Sequence, residues 1–165
     1  MPAIISNSDE NNHSREETVK ESISNSHKIK LYPDFINYYK KHCQRAKSVV
    51  FITGRKKSEF GSLTEVQLKP VNKIQRYQII YYPEGKGHKP DEYFEWKVKK
   101  IEEILDSNTK DQSNKSNNDK NDVFVKLFDD MNDYFSEVKD LAKKVEIKIK
   151  FHLIKGEKSW ILLNN

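Results

Sequence analysis

The stretch DSNTKDQSNKSNNDKND at residues 106–122 offers no apolar side chain to a core, so burial cannot offset the entropy lost in ordering it. It reads as a flexible polar insertion, at about 106–121, and whatever core exists must come from the patterned segments on either side. Residues 6–28, SNSDENNHSREETVKESISNSHK, are polar in the same way, which makes 1–28 an expected disordered tail. A chain of 165 residues would split into two small, marginal cores, so residues 29–165 are expected to form a single domain.

Within that span the apolar pattern alternates between helical and strand periods. Phe35, Ile36, Tyr39, Cys43 and Ala46, after Pro33 and Asp34, have the spacing of an amphipathic helix. SVVFIT at 48–53 is a β-branched run of strand length, and GRKKSEFGS reads as a turn after it. In LTEVQLKP the alternation of Thr64, Val66 and Leu68 with Glu65, Gln67 and Lys69 predicts a second strand ending at Pro70. RYQIIYY at 76–82 is a third, and Phe94, Val98, Ile101 and Leu105 predict a helix opened by Pro90. Beyond the insertion, Phe124, Leu127, Phe128, Met131, Phe135, Val138 and Leu141 predict a further helix, with Asp122 as its cap. VEIKIKFHLI then alternates, with Glu146, Lys148, Lys150 and His152 facing solvent, and SWILL completes a hairpin.

The resulting order is α-β-β-β-α-(linker)-α-β-β. Hairpin-length connections between the first strands predict an α+β fold: an antiparallel sheet with helices packed on one face, which the C-terminal hairpin is expected to join.

The 30 Lys and Arg against 25 Asp and Glu give a net charge of +5, which favours an acidic partner such as nucleic acid. Lys40, Lys41, Arg45, Lys47, Arg55, Lys56 and Lys57 fall within eighteen residues that contain no acid. If they converge, they form a patch for a phosphate backbone, and Tyr38, Tyr77, Tyr81 and Tyr82 would add stacking surface for unpaired bases. PEGKGHKP at 83–90 lacks the spacing and hydroxyl of a P-loop and the third glycine of GxGxxG. Gly85 and Gly87 let the chain turn there, and Lys86 and Lys89 join the candidate binding face beside a helix N-terminus.

Catalytic groupings are missing from the pattern. His13, His27, His42, His88 and His152 are scattered, and Cys43 is the only cysteine, so neither a zinc site nor a disulfide is expected. Glu84-Gly-Lys86 and Glu146-Ile-Lys148 supply only half of a carboxylate-metal nuclease motif. No cofactor is expected. Nothing in the sequence reads as a signal peptide or membrane span, so the expected compartment is cytoplasm or nucleus and no membrane is a partner.

The α-β-β-β-α order of residues 33–105, with VFITGRKK after its first helix, resembles the small Alu-RNA-binding subunits of the signal recognition particle. The same order, with Tyr82-Pro83 after the third strand, is similar to RWD-type protein-interaction domains of scaffold complexes. The expected function is therefore non-enzymatic: binding of RNA before DNA, as a subunit of a larger ribonucleoprotein or nuclear complex. The alternative is a protein-interaction domain of the RWD kind. Other protein subunits are expected partners in either case.

Overall fold

The computed structural model describes residues 34–87, 89–110, 123–155 and 159–163. The expected tail at 1–28, Pro33, His88, the insertion from 111 and the Asp122 cap lie outside the described residues. The chain divides into two compact units, Met1–His88 and Lys89–Asn165. The fold is mixed helix and strand in both.

In the first unit, helix α1 spans Phe35–Cys43, strand β1 Val50–Lys56, helix α2 Lys57–Asn72 and strand β2 Gln78–Tyr82. The predicted turn and second strand are therefore one helix. The alternation at 64–68 is too short to separate the two periods, because Thr64 and Leu68 share a helical face as readily as a strand face. Gly61, Thr64, Leu68 and Val71 are buried at i, i+3, i+7 and i+10, whereas Val66, expected inward, is 61% exposed. Pro70 falls in the last turn, where the helix is about to end.

With α2 as the crossover, β1 and β2 run parallel, Val50 beside Gln78 and Ile52 beside Ile80. The pairing slips between Thr53 and Lys56. One face of the pair packs on both helices: Tyr39, Leu68 and Val71 are buried against Phe35, Ile36, Cys43, Phe51, Tyr77 and Ile79. Tyr39 stacks on Phe51 at 6.4 Å, and Tyr77 meets Phe51 edge-on at 5.4 Å.

The second unit repeats the theme. Helix α3 spans Pro90–Lys110, strand β3 Phe124–Asp129, helix α4 Phe135–Lys144, and strands β4 and β5 Lys148–Lys155 and Ser159–Leu163. Residues 106–110, expected in the polar insertion, continue α3. The single helix predicted over 124–141 is instead a strand, a turn and a shorter helix. Asp129, Asn132 and Asp133 bond their own backbone readily and break the apolar stripe at a turn. Phe135, Val138 and Ala142 then carry the buried stripe of α4.

β3 and β4 pair in parallel through the α4 crossover, and β4 and β5 pair antiparallel. The antiparallel sheet of the sequence reading is thus corrected to parallel pairs, with the C-terminal hairpin alone antiparallel among the described strands. That hairpin adds to β3 in a three-stranded sheet of its own and not to the first pair. Both faces of β4 are covered over residues 151–153: Phe151 and Leu153 are buried on one, and on the other His152, expected in solvent, is 5% exposed and stacks on Phe128 at 4.4 Å. The three-strand order behind both family resemblances is absent, since residues 57–72 are helical.

Candidate nucleic-acid interface

The seven cations of residues 40–57 do not form one cluster. β1 separates them: Lys40, Lys41, Arg45 and Lys47 precede the strand, Arg55 and Lys56 lie at its far end, and Lys57 opens α2. At roughly 3.3 Å per residue the strand alone holds the groups about 20 Å apart.

The amino-terminal edge of the parallel pair carries the larger group. Lys40, Lys41, Arg45 and Lys47 are all exposed there. Gln75 Nε2 donates to the Ala46 carbonyl at 3.4 Å, and the Gln78 amide donates to the Val49 carbonyl at 3.0 Å, so the segment before β2 lies against the segment before β1. That contact brings in two exposed cations absent from the sequence reading, Lys73 and Arg76. Neither segment contains an acid: none occurs between Asp34 and Glu59, nor between Glu65 and Glu84. Among the described residues no ion pair involves these lysines and arginines. The Tyr38 and His42 rings meet tilted, centroids 4.2 Å apart, on α1 beside the basic last turn formed by Lys40 and Lys41.

The carboxyl-terminal edge is different. Arg55 is half-buried, and its guanidinium donates to Thr64 Oγ1 at 3.1 Å and Gln67 Oε1 at 2.7 Å while lying over the Phe60 ring. Burial draws its pKa below the usual value, and Nη1 of its fork is committed to α2. Lys56 is partly covered, whereas Lys57 and Lys86 are exposed. Lys89 is exposed in the second unit. The amides at the start of α2, a ready anion site, are met by the chain's own carboxylate. Glu84 accepts the Ser58 amide at 3.0 Å and the Ser58 hydroxyl at 2.8 Å, bonds that hold its carboxyl below the usual range. Gly85, with φ of 75°, makes the turn that returns Glu84 to this position.

A groove of about 650 Å³ runs along α2 and β2. Its helical wall carries Lys57, Glu65 and Lys69, and its floor is the ladder Tyr77, Ile79 and Tyr81. The Tyr81 hydroxyl donates to the Gly61 carbonyl at 3.4 Å, which fixes the ring against α2. Burial, followed by the Glu65 carboxylate, raises the pKa of both Tyr77 and Tyr81, placing that carboxylate within electrostatic reach of both rings. Tyr82, by contrast, is buried and donates to the Gly87 carbonyl at 2.9 Å, so it offers no stacking face.

The second unit keeps its most perturbed charges inside. Lys97 bonds Asp129 Oδ2, Tyr134 donates to the same oxygen, and the Met131 amide donates to Asp129 Oδ1 at 3.0 Å. Lys97 and Asp129 are 7% and 8% exposed. The ammonium lies over the Tyr93 and Tyr134 rings at 5.1 and 5.2 Å. Burial alone would lower the lysine, but the Asp129 charge, Tyr93 and the hydrogen bonds to both together outweigh it and the pKa is raised; burial would raise Asp129, but the Lys97 charge and the hydrogen bonds to Asp129 hold it low. A perturbed buried pair can mark an active site. Here every contact is internal, and the arrangement clamps α3 to the end of β3 and the start of α4. Its sequence signal is Lys97 itself, which occupies i+3 from Phe94 inside the predicted apolar stripe.

Among the described residues no group of three or more His, Cys, Asp or Glu is placed to hold a metal ion, and no helix is long and apolar enough to cross a membrane. Comparison with protein-family models, with curated proteins and with solved structures finds no match.

Proposed function

We propose that this chain is a non-enzymatic nucleic-acid-binding protein, with RNA before DNA as its polyanion, working as a subunit of a larger complex. The observation that carries the reading is the meeting of two acid-free segments at one edge of the first parallel pair, with Arg45 and Lys47 on one, Lys73 and Arg76 on the other, and Lys40 and Lys41 on the adjoining helix turn. Exposed lysines and arginines on loops reach phosphates without base contacts, and each one engaged adds salt-dependent affinity through counterion release.

The test is charge reversal of Arg45, Lys47, Lys73 and Arg76 to Glu, read by binding to a labelled RNA. All four side chains are exposed, so each reversal should change stability by no more than about 0.5 kcal/mol while RNA affinity collapses. Unchanged affinity would remove this reading. A partner protein retained in high salt through an apolar surface, with no RNA binding, would favour an interaction domain instead.

A further inference from the structure

The groove between α2 and β2 opens beside the basic edge, because Asn72 and Tyr77 line its end and flank Lys73 and Arg76 in the chain. Its walls mix charge in a particular order. Lys57 and Lys69 stand about 18 Å apart along the helix at 1.5 Å per residue, and Glu65 lies between them. Tyr77 and Tyr81 on the floor are about 13 Å apart along the strand. A phosphate backbone laid on the floor would pass close to Glu65 and be repelled. Bases laid on the floor would not, and their phosphates would then face outward toward the lysines.

We propose that the groove is a single-strand nucleic-acid site in which Tyr77 and Tyr81 stack unpaired bases, Lys57 and Lys69 take phosphates, and Glu65 selects a base bearing an exocyclic amine. The proposal rests on the nucleic-acid reading above and deepens it. Tyrosine rings supply sequence-tolerant stacking, and a duplex, whose bases are already paired, cannot present them to the floor. A carboxylate accepts a hydrogen bond from the cytosine amine, whereas uracil presents a carbonyl oxygen at that position and is disfavoured. Val66, 61% exposed on the same helix, adds an apolar contact at the rim.

The experiment compares single-stranded oligocytidylate and oligouridylate of about ten nucleotides, with a duplex RNA as a third probe, on the whole chain. Wild type should bind oligocytidylate about fivefold or more tightly than oligouridylate, and both single strands should outcompete the duplex. Glu65 is exposed on α2, so Glu65→Ala should fold normally and lose the preference, with oligouridylate binding rising to the level of oligocytidylate. Equal binding of the two oligonucleotides by wild type, or a preference that survives Glu65→Ala, overturns the proposal while leaving the basic edge intact. No RNA binding at all by wild type overturns both.

Discussion

The two units share a plan and differ in where they put their charges. Each runs helix, strand, helix, strand around a parallel pair joined by a crossover helix. Each also closes the carboxyl end of its first strand with an ionic group that bonds to neighbouring elements: Arg55 to Thr64 and Gln67 in the first unit, Asp129 to Lys97 and Tyr134 in the second. The first unit leaves Lys40, Lys41, Arg45, Lys47, Lys73 and Arg76 exposed at the opposite edge, with no ion pair among the described residues; the second seals its strongest charge pair from solvent. A charge at a strand end thus serves as a clamp, and only charges the clamp does not use are available to a partner.

The largest effect should come from breaking the sealed clamp. Lys97→Met leaves Asp129 buried without its counter-ion and should cost about 3–5 kcal/mol in unfolding free energy by denaturant titration. Adding Asp129→Asn should recover part of that, because the unpaired charge is gone while the single amide oxygen still accepts from one of the two donors, Met131 N–H or Tyr134 O–H. A double variant no better than Lys97→Met would mean that the pair is not the origin of the loss.

The same clamp sets a pH window. Asp129 is held below its usual pKa, so its contribution is present above the ordinary carboxylate value and is lost as pH falls through the lower folded value. Lys97 is raised, so its contribution is present below the ordinary lysine value and is lost as pH rises through the higher folded one. Thermal melts of wild type should therefore fall below about pH 4 more steeply than those of Asp129→Asn.

Arg55 gives the matching test in the first unit. Arg55→Leu removes charged hydrogen bonds to Thr64 and Gln67 and should cost about 1–2 kcal/mol. It should leave the salt dependence of RNA binding unchanged, whereas Arg76→Glu should reduce that dependence without touching stability. The smallest effect lies at the end of α4. Glu146 has φ of 56°, and its amide bonds the Lys143 carbonyl while that of Ile147 bonds Ala142, a Schellman arrangement that suits glycine. Glu146→Gly should stabilise the fold by about 1 kcal/mol.

Helix α1, strands β1, β2, β4 and β5, and most of α3 were legible from apolar period alone. The failures at α2 and β3 have one cause: a five-residue alternation at 64–68 and a clustered stripe at 124–128 fit both periods, and packing decided between them. Those two errors reversed the strand directions, since a parallel pair requires a crossover helix and an antiparallel one does not. For the interface, the acid-free run around Arg45 and Lys47 was visible, and the equally acid-free 66–83 carried the same signal for Lys73 and Arg76. Their meeting was not visible, because it depends on Gln75 reaching Ala46 across the loop. Nor could the sequence show that Arg55 bonds to α2.

The salt dependence of affinity for a single-stranded RNA tests the central claim most directly. If Lys40, Lys41, Arg45, Lys47, Lys73 and Arg76 all engage phosphates, log affinity should fall against log salt with a slope of about −4. A slope near zero, or one that charge reversal at Lys73 and Arg76 leaves unchanged, would contradict it.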